Sequence, residues 1–181
     1  MLSRDEAVRR GIEAKAMIYD VARVNDSQLY WVYDLAAMAP DGIAVECGVH
    51  YGGSILCWAA AREGRGEIVA VDSKFSGGFQ LHCERYGFAP RLLQMNSWDA
   101  PAAIGELVAF CFIDAQHGEP FCNDIAVWPD KIMPGGILAF HDYGVWKPNV
   151  VVKREVDRWQ AAAQWEYLGL VGALIAFRRP G

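Results

Sequence analysis

The stretch VECGVHYGGSI, residues 45–55, carries the signals that decide the fold. An apolar run reaches the acid Glu46, three glycines then form a turn, and Ser54 is suited to begin a helix. The glycines are Gly48, Gly52 and Gly53. A strand that enters a helix through a glycine-rich turn is typical of the first unit of a doubly wound α/β sheet.

Strands and helices continue to alternate after this unit. The predicted strands are Ile43 to Cys47, Glu67 to Val71, Arg91 to Met95, Val108 to Ile113 and Gly136 to Phe140. The predicted helices lie near Ser54 to Arg62, Phe79 to Tyr86, Pro120 to Ile132 and Asn149 to Ala163. Because runs such as IVAV and VAFCFI are apolar on both faces, they favour parallel strands covered by helices on both sides.

The two ends of the chain differ from this pattern. Ser3 and Glu6 form a capping box that predicts a helix to about Val21, and Asp26 or Ser27 can begin a second one. At the carboxyl end, two strand-like runs meet at Gly172 with no room for a crossover helix, so they must pair as an antiparallel hairpin. These runs are Trp165 to Val171 and Ala173 to Arg178.

The sequence therefore predicts a single domain over residues 1–181. Helices occupy residues 1–40, and an α/β core occupies residues 41–181. The expected fold is doubly wound and Rossmann-like, with a seven-stranded, mostly parallel sheet that ends in the antiparallel hairpin.

Composition narrows the function classes. The net charge of -5 and the lack of a basic run disfavour nucleic-acid binding. No apolar run approaches the roughly 18–20 residues that span a bilayer, and the amino terminus lacks the apolar block of a signal peptide. The five cysteines are odd in number and contain no C-x-x-C pair, which favours reduced packing residues. We expect a cytoplasmic protein that acts on a small molecule and binds neither nucleic acid nor membrane.

Polar residues end the predicted strands. Ligands of doubly wound sheets bind above the carboxyl ends of the strands, so these positions are candidate site residues. They are Glu46, Asp72, Asn96, Asp114 and Asp142.

The first three strand ends suit a nucleoside. Asp72 lies 24 residues beyond Gly48, where a carboxylate can accept both hydroxyls of an adenosine ribose; a helix cap is the alternative. Ser97 and Trp98 can contact an adenine edge and face, although core or turn roles fit them too. His50 occupies the place of the second glycine of a dinucleotide fingerprint, which disfavours a pyrophosphate ligand and leaves a purely geometric turn as the alternative.

Several motifs in order resemble one family. E-x-G-x-x-x-G-G-S, VAVD, NSWD, FIDAQH and MPGGILAFHDY are similar to the class I S-adenosylmethionine-dependent methyltransferases, in the branch with D-x-x-H and HDY motifs. The similarity spans Ile43 to Arg178. It implies S-adenosyl-L-methionine as cofactor, with its methionyl part over the glycine turn, its amino group near Glu46 and its ribose on Asp72. The cofactor residues implied are Glu46, Gly48, Gly52, Gly53, Ser54, Asp72, Ser97, Trp98 and Asp114.

The resemblance also implies a reaction centre. Asp114 and Asp142 end neighbouring strands about 5 Å apart, so their oxygens can share Mg²⁺ or another divalent cation. The family pattern adds the residue before the second acid, here His141, as third ligand. Strand alternation would point His141 away from Asp142 unless the strand curls. Capping carboxylates that contact the cofactor are the alternative.

His117 is the histidine of the D-x-x-H motif, which the resemblance implies is the general base. An ordinary histidine pKa near 6.5 suits that role, and a backbone hydrogen bond is the alternative.

The implied function is metal-assisted O-methylation of a hydroxylated small molecule. A non-catalytic S-adenosylmethionine-binding protein and a nicotinamide-dependent oxidoreductase remain alternatives. Acceptor specificity would come from the amino-terminal helices and from loops 73–79 and 143–149, which includes Trp146, and a neighbouring subunit of a homo-oligomer could close the cleft.

Overall fold

The structure, a computed structural model, describes residues 2–16, 26–144 and 150–181. The alternation of strands and helices is confirmed. The strands are β1 (Ile43–Cys47), β2 (Ile68–Asp72), β3 (Arg91–Gln94), β4 (Val108–Ile113), β5 (Ile132–Phe140), β6 (Glu166–Val171) and β7 (Leu174–Arg178). The helices are α1 (Arg4–Ala16), α2 (Asp26–Met38), α3 (Gly53–Trp58), α4 (Gly77–Tyr86), α5 (Ala100–Ala103), α6 (Phe121–Lys131) and α7 (Val150–Ala163).

All seven strands form one sheet in the order β3-β2-β1-β4-β5-β7-β6. The strands β1 to β5 pair in parallel, while β7 pairs antiparallel with both β5 and β6. The predicted mostly parallel sheet and its terminal hairpin are therefore confirmed. β1 pairs with β2 on one side and with β4 on the other. The direction in which successive strands are added to the sheet therefore reverses between β1 and β4, and sheets of this kind bind ligands in the crevice at that point.

Helices cover both faces of the sheet. On one face, Val45 and Cys111 pack in a buried cluster that includes Trp128 of α6. On the other, Ala44 and Trp58 belong to a second buried cluster formed with α2 and α3. Every residue of β1 and β4 is buried, which explains why their sequences are apolar apart from Glu46. None of the described helices is both long enough and apolar enough to cross a membrane.

The observed and predicted bounds differ at several elements, most of all at β5 and after β3. β5 begins at Ile132 rather than at Gly136, because Gly135 adopts a left-handed φ of +74° and the ladder with β4 shifts register there. The segment after β3 forms a short 3₁₀ turn, Ser97–Asp99, and then α5. The sequence did not reveal these because each has fewer than five residues. The predicted helical residues 17–21 and loop residues 145–149, with Trp146, lie outside the described residues.

Candidate functional site

Backbone hydrogen bonds align the carboxyl ends of the central strands. Gly48 N donates to Val71 O at 2.9 Å, and Asp114 N donates to Cys47 O at 2.8 Å. His141 N continues the ladder by donating to Ile113 O at 2.9 Å. The residues after β1, β4 and β5 therefore lie at one level, and they form a continuous rim with Asp72 at the end of β2.

A cavity of about 360 Å³ opens at this rim above the point where the sheet changes direction. Of the predicted cofactor residues, five line it: Gly48, Asp72, Ser97, Trp98 and Asp114. The predicted base His117 lies in the same wall. The cavity thus brings together the donor-side residues and part of the predicted reaction centre.

Asp72 is held by backbone amides. Its Oδ2 accepts from His50 N and its Oδ1 from Lys74 N, both at 3.0 Å. His50 adopts a left-handed φ of +50°, which turns its amide toward the carboxylate. Each carboxylate oxygen can accept a further hydrogen bond, so Asp72 remains able to bind ligand hydroxyls from the cavity.

Gly48 is a glycine because β4 is too close for a side chain. Its φ is +87°, and a Cβ atom at this position would lie 2.1 Å from the carbonyl oxygen of Asp114. Backbone geometry alone therefore requires a glycine at position 48, and the same residue also lines the cavity.

Four other predicted cofactor residues do not line this cavity. Glu46 is fully buried, where its carboxylate accepts hydrogen bonds from Ser54 Oγ at 2.6 Å and from Trp58 Nε1. Gly52 is the left-handed residue before α3, and Gly53 begins that helix. The alternation of β1 places Glu46 beneath α3, so these residues fix the turn. Direct contact of Glu46, Gly52, Gly53 or Ser54 with a cofactor stays a prediction.

Two acids and two histidines converge on the β4 and β5 side of the rim. His117 Nε2 lies 2.8 Å from Asp142 Oδ2 and 3.5 Å from Asp114 Oδ1. His141 Nδ1 lies 3.2 Å from Asp114 Oδ1 and 3.4 Å from Asp142 Oδ2. We call Asp114, His117, His141 and Asp142 the histidine-aspartate cluster.

His141 and Asp142 point to the same place because the backbone turns sharply. Asp142 has a left-handed φ of +56°, so the extended alternation of β5 ends at Phe140. The strand therefore curls at its end, as a shared site for His141 and Asp142 requires. This curl gives His141 access to both carboxylates. An aspartate tolerates this conformation better than most residues with a side chain.

Mutual contacts shift the pKa values of the cluster. The carboxylates of Asp114 and Asp142 raise the pKa of His117 to about 9. Burial works against protonation of His141, but the charge of Asp114 and its contacts with both acids outweigh burial and raise its pKa to about 10. Burial likewise opposes ionisation of Asp142, yet the two histidines hold its pKa well below the usual range.

The donor atoms of the cluster fit a divalent cation. One ligand atom from each of Asp114, His117 and Asp142 lies within 4.8 Å of the others. His117 Nε2 and His141 Nδ1 are buried, but within the described part of the chain neither has a partner in hydrogen-bond geometry, despite the nearby carboxylates. Two carboxylates with buried imidazole nitrogens close to their oxygens are a suitable ligand set.

Some site residues were missed from the sequence or given no role. Ser73, which was predicted only as part of an acceptor loop, lines the cavity together with Met95 and Gln116, for which no role was predicted. Gln28 of α2 reaches His141, with 3.4 Å between its Nε2 and the ring Nε2. This contact joins residues more than 100 positions apart, so sequence spacing could not reveal it.

The shape and ligand crevice of the molecule define a class: a methyltransferase-like α/β domain with a cavity at the point where the sheet changes direction. Residues 45–143, more than half of the chain, match the family model described as a methyltransferase domain. The chain therefore belongs to this family, the S-adenosylmethionine-dependent methyltransferases of class I. None of the curated protein sequences matches the chain.

Solved structures share the fold at low sequence identity. The S-adenosylhomocysteine-bound methyltransferase PaMTH1 of Podospora anserina has a TM-score of 0.72 and 16% identity, over 97% of this chain and 88% of that one. The O-methyltransferase TomG of Streptomyces achromogenes, in complex with S-adenosylmethionine, has a TM-score of 0.70 and 16% identity, over 99% and 92%. The O-methyltransferase NovP has a TM-score of 0.68 and 14% identity, over 99% and 100%.

Proposed function

We propose that this protein transfers a methyl group from S-adenosyl-L-methionine to a hydroxyl oxygen of a small molecule, with a divalent cation such as Mg²⁺ at the histidine-aspartate cluster. The observation that carries the proposal is the continuity of one cavity from Asp72 to His117. A donor bound at Asp72 and an acceptor oxygen near His117 would share the same space. The O-methyltransferases TomG and NovP, which share the fold, support the reaction type.

The donor half of the cavity suits an adenosyl group. Asp72 is oriented by two backbone amides and can accept the ribose hydroxyls. Trp98 offers an indole face for the adenine ring from the neighbouring wall. Gly48 lines the cavity where the chain passes from β1 into the turn, so the methionyl portion can contact its backbone.

The cation would be held by Asp114, Asp142 and one imidazole. We assign the imidazole to His141 and the proton acceptor to His117, because His117 lines the cavity whereas His141 borders a separate, smaller one behind it. When bound, the ion supplies positive charge that offsets the two carboxylates, which lowers the pKa of His117 and of the acceptor hydroxyl.

The protein contributes orientation and proton transfer to the reaction. The acceptor hydroxyl gives its proton to His117 Nε2, its oxygen forms a bond to the methyl carbon, and the bond from that carbon to sulfur breaks to leave S-adenosylhomocysteine. Donor and acceptor bound along this rim would lie on the two sides of Asp114, and an in-line displacement requires them to be positioned together in this way.

The direct test measures label transfer from S-adenosylmethionine to a panel of catechols and sugars, with Mg²⁺ or with a chelator. Methylated product that requires Mg²⁺ is expected, and activity indifferent to the chelator would remove the cation from the proposal.

Thermal shifts with S-adenosylmethionine, S-adenosylhomocysteine and NAD provide a check on the ligand, since a bound ligand stabilises the fold. Stabilisation by NAD alone would contradict the choice of cofactor, and cofactor binding without turnover on any acceptor would favour a non-catalytic binding protein.

A further inference from the structure

We infer that Gln28 is a positioning residue of the histidine-aspartate cluster: its side-chain amide holds the outer ring nitrogen of His141, so that the inner nitrogen stays between Asp114 and Asp142. The inference concerns the cation site and thus rests on the proposed function. Gln28 lies in α2, outside residues 45–143 that match the methyltransferase family model.

The contact is built from both sides of the imidazole ring. Gln28 Nε2 lies 3.4 Å from His141 Nε2, while His141 Nδ1 lies 3.2 Å from Asp114 Oδ1. Rotation of the ring would therefore move one nitrogen away from Gln28 and the other away from Asp114. A glutamine amide suits this position because its oxygen can accept from a ring N–H and its N–H can donate to a bare ring nitrogen.

Gln28 is itself held in place. It is only 7% exposed, although it is a polar residue on a helix near the surface. The hairpin turn between β6 and β7 lies directly against it, because a Cβ atom at Gly172 would be 2.8 Å from Gln28 Nε2. The amide is therefore confined between this turn and the His141 ring.

The space around the ring leaves little room for a substitute. A cavity of about 10 Å³ is bordered by Gln28, Ser54, Asp114 and His141, together with apolar side chains. This volume is at the lower limit for a single water molecule. Loss of the amide would thus leave the outer ring nitrogen without a well-placed replacement.

Histidines that bind metals commonly use their second nitrogen to bond an oriented group, and removal of such a group weakens metal affinity by about 10–100-fold. Gln28 occupies the place of that group behind His141. This role explains why a helix that contributes nothing to the cofactor cavity contributes a buried polar residue to the reaction centre.

The test compares Gln28→Met, which keeps the length of the side chain but removes its hydrogen bonds, with Gln80→Met on the exposed surface of α4. Ring ¹⁵N resonances are recorded without metal at constant pH. The chain has four histidines, so His141 can be assigned from the signals lost in His141→Asn. Gln28→Met should shift the His141 signals and reduce Mn²⁺ affinity by about 10–100-fold, whereas Gln80→Met should change neither.

A second variant keeps the inference testable if Gln28→Met is poorly folded. Gly172→Ala leaves Gln28 in the chain but displaces its amide, so the His141 signals should shift in the same direction. Unchanged His141 signals and unchanged Mn²⁺ affinity in folded Gln28→Met would overturn the inference. Both readouts are independent of S-adenosylmethionine and of turnover, so failure of the proposed methyl transfer would be recognised separately.

Discussion

On the β2 side of the rim, Asp72 has both carboxylate oxygens bonded to backbone amides, whereas on the β4 and β5 side Asp114 and Asp142 face two imidazoles. Backbone amides do not titrate, so the groups that orient Asp72 are the same at every pH at which the protein is folded. The imidazoles of the acceptor half change charge with pH and can exchange a proton for a metal ion. Backbone groups thus orient the donor half, whereas the charge of the acceptor half depends on pH and on a bound cation.

The largest effect that would test this contrast is expected at His117. His117→Ala should lower kcat by about 10²–10⁴-fold, since it removes the proton acceptor, while the Kd of S-adenosylmethionine changes little. Glu119→Ala, an exposed residue on the same loop, is the matched control and should retain full turnover. Turnover measured with saturating acceptor, and cofactor titration, separate the two effects.

A comparison of His117→Ala with His141→Ala decides which histidine binds the ion. Mn²⁺ affinity should survive in His117→Ala and fall in His141→Ala. The reverse result would assign His117 as the metal ligand and contradict its role as proton acceptor.

Gly48→Ala tests the close approach of the turn after β1 to the backbone of Asp114, where the two halves of the rim meet. The added Cβ would meet the Asp114 carbonyl, and we expect a loss of about 3 kcal/mol in the free energy of unfolding. Gly64 provides the control, because it has a similar φ of +73° but open space around it. Gly64→Ala should therefore lose only about 1 kcal/mol. Equal losses in urea unfolding would show that the approach to β4 is unimportant.

Metal affinity should rise with pH in the acceptor half. His117 and His141, with pKa values of about 9 and about 10, carry protons at neutral pH that a cation must displace. We expect Mg²⁺ binding to strengthen by about tenfold or more for each pH unit between about pH 7 and 9, one factor of ten for each proton released. Calorimetric titration at several pH values measures the slope, and a pH-independent affinity would exclude proton displacement.

Asp72→Ala should affect only the donor half. Loss of a charged hydrogen-bond acceptor is expected to weaken S-adenosylmethionine binding by about 10–100-fold, with Mg²⁺ affinity unchanged. Asp99→Ala, an exposed acid just beyond the end of β3, is the control for the loss of a negative charge from this rim. An equal loss of cofactor affinity in both variants would indicate a general charge effect.

The smallest expected effect concerns Asp124, a fully buried carboxylate of α6 without a hydrogen-bond partner among the described residues. Burial raises its pKa from 3.8 to about 6, so the folded state binds more protons than the unfolded state between these values. Stability therefore falls as pH rises through this window, and the loss persists at higher pH.

Asp124→Asn removes this charge and should be more stable than the wild type by about 1–2 kcal/mol at alkaline pH, with the difference vanishing near pH 4. Asp130→Asn, an exposed change on the same helix, should show no such dependence. Denaturant unfolding at acidic and alkaline pH provides the measurement. A stabilisation that is constant with pH would contradict the role of the buried charge.

Much of this architecture could be predicted from the sequence. The strands β1 and β4 were predicted at their observed bounds, because short, mostly apolar runs between breakers leave few alternatives. Asp72, Asp114 and Asp142 were found because parallel strands end at one edge, so the last residue of each strand is placed by topology. The roles of Glu46 and Ser54 were harder, since a buried pair beneath α3 and a ligand contact have the same sequence pattern.

The order of apolar runs, glycines and strand-end acids by itself determined the class of fold and the edge of the sheet at which the candidate site lies, because these depend on local periodicity and chain topology. The family was indicated by the resemblance of the ordered motifs. Only the tertiary structure decided that Asp142 turns through a left-handed conformation to meet His117, and that Gln28 reaches His141 from α2. Such contacts arise from the packing of distant segments, and side-chain packing in three dimensions leaves no period in the sequence.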